Sequence, residues 1–289
     1  MDALNSTSWQ KHTHTITLYL GVFTTGLLVY LFLSSGEFSF FLTLSSIFRT
    51  FGMVNLLVKI GTDNNGKGVS VKTLQLYLAT FAFRLLSIIR HEGYLPYDKS
   101  GDHAYHLLEF ISLAASAISV YVLILGPLRA SYDHRHDKFG NSEQFGAELG
   151  ALWLLMPCII LAIGFHPGLN KDFFSDTCWT ISMYVEGVAM IPQLFMFSLS
   201  AAEEGGVIET RLGHTVALLG FSRVFELLFW AKSYHELIDE RMGSTFASYM
   251  ILLSQIVQLV IMGDFFYYYI KAWTKGEKMV LPMSESPMV

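Results

Sequence analysis

Three arginines lie inside stretches of this 289-residue chain that are otherwise apolar enough to cross a membrane: Arg49, Arg84 and Arg223. Such stretches also hold four acidic residues, Glu109, Glu186, Glu226 and Asp264. A charge at the centre of a bilayer costs roughly 2.5–3.5 kcal/mol on insertion scales, so these side chains are expected to face a polar interior. Guanidinium groups bind carboxylates through two parallel hydrogen bonds. The residue types therefore indicate either recognition of an acidic ligand or ion pairing within the protein.

The composition indicates a membrane protein. Hydrophobic residues make up 52% of the chain, charged residues 15%, and the mean hydropathy is +0.43, whereas a soluble domain carries about 25% charged residues. The net charge of -5 does not indicate nucleic-acid binding. Cys158 and Cys178 show no spacing typical of a disulfide framework or a metal site. Because no nucleophile–base pair or phosphate-binding glycine loop stands out, we predict no catalytic residue, no cofactor and no metal.

The positioning elements are apolar segments of membrane-spanning length, separated by Gly, Pro, Asn, Asp or charged residues. They cover residues 15–35, 41–60, 70–90, 104–127, 147–165, 177–199, 213–231 and 247–272. The first segment has no cleavage-site pattern, so we interpret it as a retained helix. The sequence thus predicts an all-α membrane protein with eight spans and a polar tail after Lys278 that is mobile unless a partner holds it.

The loop charges predict the orientation of the spans. With eight spans, both termini lie on one side of the membrane. Apart from the three intramembrane arginines, the opposite side holds only five of the 19 basic residues, Arg90, Lys99, Lys171, Lys232 and Arg241. Because Lys and Arg accumulate in cytoplasmic loops, both termini are predicted to be cytosolic.

Five segments, in order along the chain, carry a family pattern. They are FRTFG (Phe48–Gly52), SYDHRHDKF (Ser131–Phe139), MYVEGVAMIPQLFMF (Met183–Phe197), GFSRVFELLFW (Gly220–Trp230) and GDFFYYYIKAW (Gly263–Trp273). Together they resemble the KDEL receptor family, the receptors that retain proteins of the ER lumen. The resemblance covers about residues 44–282. We interpret Pro192 as a helix kink and the histidines at 134 and 136 as part of a solvated loop.

The resemblance implies a seven-helix core similar to SWEET and PQ-loop proteins, with two three-helix bundles joined by a linking helix. This chain has one additional transmembrane helix at its front, as in the N-terminally extended branch of the family, which it resembles most. The implied organisation is an extension over residues 1–40, the core over 41–273 and a cytosolic tail over 274–289.

The resemblance also implies a binding site for a C-terminal peptide of a lumenal protein. Arg84 is similar to the arginine that binds the terminal carboxylate, and Arg49 to the one that binds an acidic ligand side chain. Asp176 and Trp179 match an acid and an indole that receive the lysine-like end of the ligand, the indole through a cation–π contact. Trp230 matches a second aromatic wall.

A second group of residues is implied to form a buried polar pair or switch. Glu186 and Arg223 match a buried pair coupled to protonation, and Glu226 lies three residues after Arg223, on the same helix face. Asp264 matches an intramembrane acid of the conformational cycle. For Arg49 and Arg84 we favour a polar cavity, open to the lumenal side, over internal pairing.

The chain departs from the family pattern at several positions of the ligand shell. A pH-responsive histidine falls on Leu56, and the lysine pair for retrieval is Glu277-Lys278. Four further polar or charged family residues are replaced by Ser87, Ser222, Phe229 and Ser233. The charges therefore remain while part of the shell around them differs.

Three function classes follow. The first is a receptor of the ER and Golgi membranes that binds C-terminal retention peptides for Golgi-to-ER retrieval. The alternative is a non-catalytic accessory subunit that contacts other membrane subunits, with its arginines paired internally or by lipid, in whichever organelle holds the complex. A small-solute transporter rests on fold analogy alone. Membrane lipids are expected contacts in each case.

Overall fold

The computed structural model describes residues 2–33, 40–91, 102–142, 147–232 and 245–282, and these form ten α-helices. The helices are α1 (Asp2–Leu33), α2 (Phe40–Asp63), α3 (Val71–Ile88), α4 (Asp102–Ile124), α5 (Leu152–Gly164), α6 (Phe173–Val188), α7 (Ile191–Glu204), α8 (Thr210–Lys232), α9 (Thr245–Ile261) and α10 (Gly263–Lys275). A 3-10 turn at Arg129–Ser131 and a short antiparallel hairpin, β1 (Asn141–Ser142) with β2 (Ala147–Glu148), connect α4 to α5.

The helices confirm an all-α membrane protein. Within the described ranges, five helical segments are long and apolar enough to cross a membrane, and six if the bent pair α9–α10 counts as one. These six coincide with six of the eight predicted spans. The remaining two predicted spans correspond to α3 and to the 13-residue α5. Neither helix is both long enough and apolar enough to be counted among the six. The segment predicted from residue 147 begins as a helix only at Leu152, because residues 147 and 148 form β2.

The helices pack as two groups of three joined by a linking helix. In the first group, α4 packs on both α2 and α3, and in the second group α9 packs on both α6 and α8. The groups meet along two long contacts, α2 with α8 and α3 with α6. The linking helix α5 packs on α6. The interior enclosed by α2, α3, α6 and α8 is therefore where buried side chains of both groups can meet.

The additional helix α1 lies against the outside of this core. Val22 is buried in a small apolar cluster with Phe48 of α2 and Leu218 of α8. One turn before Val22, Tyr19 stacks on Trp273 of α10 with ring centroids 5.5 Å apart, and its hydroxyl lies 2.5 Å from that of Tyr269. Helix α1 is thus attached to both groups through apolar and polar contacts.

The loops after α2, α4, α7 and α10 lie at one end of the bundle, named here the hairpin end because it carries β1 and β2. Asp137 is buried there and accepts hydrogen bonds from the Val71 backbone N–H (2.9 Å), the Ser70 hydroxyl (3.0 Å) and the Tyr132 hydroxyl (2.6 Å). Burial and the nearby Asp137 carboxylate raise the pKa of Tyr132 above its ordinary value, so this hydroxyl stays a donor. The interpretation as a solvated loop holds for His134, which is exposed, but is wrong for His136, which is buried.

Two helix interruptions shape the second group. The break between α6 and α7 falls at Ala189 and Met190. Pro192 follows at the start of α7, where proline is tolerated, so the helix is interrupted at the position predicted for a kink. Gln193 then fixes the α2–α3 loop: its amide nitrogen donates to the Gly68 carbonyl (2.7 Å) and its amide oxygen accepts from the Ser70 N–H (2.9 Å). The second interruption bends α9 against α10 by 46°.

The first residues of the C-terminal tail are held by the α7–α8 loop. The Ile208 N–H donates to the Met279 carbonyl and the Leu281 N–H to the Gly206 carbonyl, both at 3.0 Å. The prediction of a mobile tail is therefore wrong for residues 279–281, because backbone pairing holds them. Residues 283–289 lie outside the described residues.

Replacement of Gly206 tests this tail contact. Gly206 has φ of +74°, and an added Cβ would lie 2.4 Å from the Leu281 carbonyl oxygen. Gly205 has a similar φ of +78° but nothing within 4 Å of its Cβ position. We expect Gly206→Ala to release the tail and to speed trypsin cleavage after Lys278, measured by mass spectrometry of timed digests.

Gly205→Ala is the matched control, because it carries the same positive-φ cost of roughly 1–2 kcal/mol without the clash. Equal cleavage rates in the two variants would contradict the tail contact.

Candidate functional site

Six buried charged side chains meet in the interior between the two helix groups. They come from five helices: Arg49 of α2, Arg84 of α3, Glu109 of α4, Glu186 of α6, and Arg223 with Glu226 of α8. No side chain of this set, named here the charge cluster, is more than 5% exposed. Three positive and three negative groups therefore share one dry interior.

Glu109 bridges the two arginines of the first helix group. Nη2 of Arg49 donates to its Oε1 at 2.6 Å, and Nη1 of Arg84 lies 3.4 Å from the same oxygen. A carboxylate between two guanidinium groups is the arrangement that an acidic ligand would also adopt. The structure thus places Arg49 and Arg84 around a common carboxylate that belongs to the protein itself.

Glu186 contacts all three arginines. Its Oε1 lies 2.9 Å from Nη1 of Arg49, its Oε2 lies 2.8 Å from Nη2 of Arg223, and Nη2 of Arg84 also donates to Oε2. Because Glu186 is on α6 while its partners are on α2, α3 and α8, this carboxylate ties the two helix groups together.

Glu226 completes the cluster on the α8 side. Its Oε2 accepts from Nη1 of Arg223 at 2.7 Å and lies 3.6 Å from Nη1 of Arg49. The three-residue spacing places Arg223 and Glu226 on one face of α8. Gln255 of α9 accepts from Nη1 of Arg223 through its amide oxygen at 3.0 Å.

Neutral side chains supply further contacts to the guanidinium groups. The Ser46 hydroxyl accepts from Nη2 of Arg49 at 3.0 Å, and the Ser182 hydroxyl accepts from Nε of Arg84 at 3.3 Å. The guanidinium carbon of Arg49 also lies 6.0 Å from the centroid of the Phe81 ring. Buried ions need such additional partners, because ion pairing alone often fails to offset the cost of desolvation.

The expected open cavity floored by Arg49 and Arg84 is not what the structure holds. Both guanidinium groups are in contact with internal carboxylates, and the two side chains are 3% and 1% exposed. The physical reason is charge balance: each arginine lies within 3.6 Å of at least two glutamates, so the cluster as a whole is neutral. The structure is thus a closed state.

The two tryptophans assigned to the site form an aromatic pair. Trp179 of α6 and Trp230 of α8 meet edge to face, with ring centroids 5.6 Å apart, and are 2% and 1% exposed. Among the described residues, neither indole Nε1 has a hydrogen-bond acceptor. A buried N–H without an acceptor costs roughly 1–3 kcal/mol, so this pair offers two donors to a ligand.

Asp176 lies one helical turn before Trp179, at the end of the bundle opposite the hairpin end. It is buried, and its Oδ1 accepts from the backbone N–H (2.9 Å) and the side-chain amide (3.3 Å) of Asn170. Nearby, Asp172 caps α6. Hydrogen bonds from the Ser175 hydroxyl and the His91 ring lower the pKa of Asp172 to about 2, so this carboxylate is charged at neutral pH.

Asp264 does not belong to the buried group, and its assignment as a buried polar residue is wrong. It lies in the first turn of α10 and is exposed. The bend between α9 and α10 lies directly before this turn, and spacing along a straight helix could not anticipate it.

The side chains at positions that depart from the family pattern mostly make contacts within the protein. Leu56 is part of the main apolar core, and the Ser222 hydroxyl donates to the Leu219 carbonyl of its own helix at 2.7 Å. Phe229 packs edge-on against Trp230 with centroids 5.0 Å apart. Ser87 is buried, and Ser233 lies outside the described residues.

Sequence reasoning noticed Glu109 as an intramembrane acid but gave it no role. The available signal was that Glu109 is the single Asp, Glu, Lys or Arg residue of the apolar segment 104–127. Gln255 was missed entirely, because one amide in a membrane helix does not show which neighbour it faces.

A separate cavity of about 500 Å³ opens at the hairpin end, away from the charge cluster. It is lined by parts of α1, α8 and the tail, including His14, Arg211, His214 and Lys278. Arg211 pairs with Asp63 across 3.4 Å. Because the charges that line it are partly paired with each other, we do not assign the binding site to this cavity.

Comparison with known proteins agrees with the resemblance drawn from the motifs. The family model described as ER lumen protein retaining receptor matches residues 65–233. An ER lumen protein-retaining receptor of Drosophila melanogaster is 29% identical over 235 residues, which are 81% of this chain and 94% of that protein. The ER lumen protein-retaining receptor 3 of Xenopus laevis is 31% identical over 246 residues, 82% and 99% of the two chains. No comparison tests the resemblance to the N-terminally extended branch.

Removal of one carboxylate from the charge cluster should destabilise the fold. Glu186→Gln leaves three buried guanidinium groups with two carboxylates, and breaking a buried ion pair in this way costs roughly 3–5 kcal/mol. We expect a clearly lower melting temperature of the purified protein in detergent, measured by the fluorescence of the buried tryptophans.

Asp264→Asn is the control, because it removes a carboxylate of the same membrane region that is exposed and outside the cluster. If the melting temperature of Glu186→Gln is no lower than that of Asp264→Asn, the cluster does not hold the helices together.

Proposed function

The chain belongs to the ER lumen protein retaining receptor family, and on that premise we propose that it is a multi-pass membrane receptor for C-terminal retention peptides. In this proposal it resides in the ER and Golgi membranes and binds lumenal proteins through their last residues, for return from the Golgi to the ER. It is a binding protein, and no step of bond chemistry is part of this function.

The observation that carries the proposal is the convergence of Arg49 and Arg84 on one carboxylate oxygen. The two guanidinium groups come from different helices and lie 2.6 and 3.4 Å from Oε1 of Glu109. A peptide that ends in a free carboxylate presents the same chemical group. The family resemblance divides the two roles, and on that basis we assign the terminal carboxylate to Arg84 and an acidic side chain of the ligand to Arg49.

The aromatic pair supports binding of a peptide backbone beside these arginines. The Nε1 groups of Trp179 and Trp230 are buried donors without an acceptor among the described residues. Carbonyl groups of an extended peptide would accept from them. Asp176, one turn away from Trp179, would supply the countercharge for a basic ligand residue.

Access from the lumen agrees with the loop charges. With both termini in the cytosol, as those charges predict, the hairpin end faces the cytosol and the opposite end faces the lumen. Arg84 lies four residues before the end of α3, and Asp176 lies in the first turn of α6, both toward that opposite end. A peptide from the lumen would reach these residues first.

Binding of a defined peptide tests the function. The probe is a peptide ending in Lys-Asp-Glu-Leu and its C-terminal amide, titrated against the full-length protein in lipid nanodiscs at about pH 5.5 and about pH 7.5. We expect saturable binding of the free acid, and roughly 10–100-fold weaker binding of the amide because a charge-assisted hydrogen bond is lost. Arg84→Gln should lose binding.

Arg211→Gln is the matched control, because this arginine lies at the hairpin end and pairs with Asp63. Absence of saturable binding of the free acid at either pH would overturn the receptor function.

A second candidate function is that of an accessory subunit in a larger membrane complex. The observation that favours it is the closed charge cluster, in which the arginines pair with the protein's own glutamates. In that case the charges hold the helices in place, and the protein would purify in fixed stoichiometry with other membrane subunits. Purification from native membranes as a single chain that binds the peptide would exclude this candidate.

A further inference from the structure

Glu109 holds the place that a ligand carboxylate would need. Its Oε1 lies between the guanidinium groups of Arg49 and Arg84, the two arginines assigned above to the ligand. We propose that Glu109 is an internal competitor for the acidic groups of the ligand, so that a peptide binds only when its own carboxylate displaces that of Glu109. This inference rests on the proposed receptor function.

The contacts single out Glu109 among the three glutamates. Glu186 lies within ion-pair distance of all three arginines and joins the two helix groups. Glu226 pairs with Arg223 three residues away on the same helix and with Arg49. Within the cluster, Glu109 contacts the two arginines assigned to the ligand, Arg49 at 2.6 Å and Arg84 at 3.4 Å, and it does not contact Arg223. Its displacement therefore leaves the contacts of Glu186 with all three arginines and of Glu226 with Arg223 in place.

Charge balance gives this displacement a second consequence. The cluster is neutral with three arginines and three glutamates, so an incoming carboxylate leaves one uncompensated negative charge in a buried site. An additional negative charge in such a site favours uptake of a proton by the cluster as a whole, because burial and like charge both disfavour the ionised state of carboxylates. Binding of one carboxylate is therefore coupled to uptake of one proton, and affinity rises as the pH falls.

Among the described residues, charged groups face Glu109 from the two helices packed on α4. Arg49 faces it from α2 and Arg84 from α3, and Glu186, Arg223 and Glu226 lie behind these arginines. The 3-10 turn at Arg129–Ser131 packs on the far end of α4, where Arg129 is exposed. The proton is thus assigned to the charge cluster.

The test combines calorimetry with one neutralising substitution. Peptide ending in Lys-Asp-Glu-Leu is titrated into the full-length protein in nanodiscs, in buffers of different ionisation enthalpy, so that protons taken up per peptide are counted. For the unmodified chain we expect at least one proton per peptide bound, because two carboxylates of the ligand are assigned to the arginines, and an affinity that weakens by up to about tenfold per pH unit for each proton. In Glu109→Gln the competitor is neutral. We therefore expect this variant to bind the peptide at least roughly tenfold more tightly than the unmodified chain at about pH 7.5, with little proton uptake.

Two controls isolate the carboxylate of Glu109. Glu109→Asp keeps the charge and should keep the proton uptake of the unmodified chain. The C-terminal amide of the peptide keeps only the side-chain carboxylates, so Glu109→Gln should tighten its binding less than it tightens binding of the free acid.

The outcomes separate this inference from the function it rests on. Absence of peptide binding by both the unmodified chain and Glu109→Gln would overturn the receptor function. Peptide binding without proton uptake, or binding by Glu109→Gln with unchanged affinity and proton uptake, would overturn the role of Glu109 and leave the receptor in place. If Glu109→Gln fails to fold, the number of protons that the unmodified chain takes up per peptide tests the inference, and peptide binding without proton uptake overturns it.

Discussion

Ion pairing between three arginines and three glutamates fixes how the helices of this protein can pack. An unpaired charge at the bilayer centre costs roughly 2.5–3.5 kcal/mol, whereas two opposite charges about 4 Å apart attract by about 4 kcal/mol at an effective dielectric constant of 20. Each arginine is therefore stable in the interior only beside a carboxylate from the cluster. Because the six groups come from α2, α3, α4, α6 and α8, a sliding or rotation of one helix would separate charges on several others.

The same pairing explains how a receptor fold can be closed without an additional lid. The arginines that would bind an acidic peptide are occupied by the protein's own carboxylates. The tryptophan pair of α6 and α8 keeps two buried N–H groups without acceptors among the described residues. The neutral cluster stabilises the closed state, while the unused indole donors favour a ligand. The free-energy difference between the closed state and the peptide-bound state depends on how easily one carboxylate leaves its arginines. In this proposal Glu109 is that carboxylate and therefore sets the affinity for the peptide.

Much of the fold could be predicted from the sequence, because hydrophobic segment length and helix-breaking residues are local properties. The spans, the kink near Pro192 and the proximity of Arg223 to Glu226 all follow from spacing along one chain segment. The pairing of Arg49 and Arg84 with Glu109 could not be predicted, since it depends on the distance between three helices and on the reach of long side chains. The exposure of Asp264 depends on the bend between α9 and α10, and the burial of Asp137 on loop geometry.

The most direct measurement is a structure of the chain in lipid nanodiscs with a peptide ending in Lys-Asp-Glu-Leu bound. We predict that the carboxylates of the peptide lie within about 2.7–3.2 Å of the guanidinium nitrogens of Arg49 and Arg84, with the side chain of Glu109 turned away from both. A bound peptide that leaves the contacts of Glu109 with Arg49 and Arg84 unchanged would contradict it.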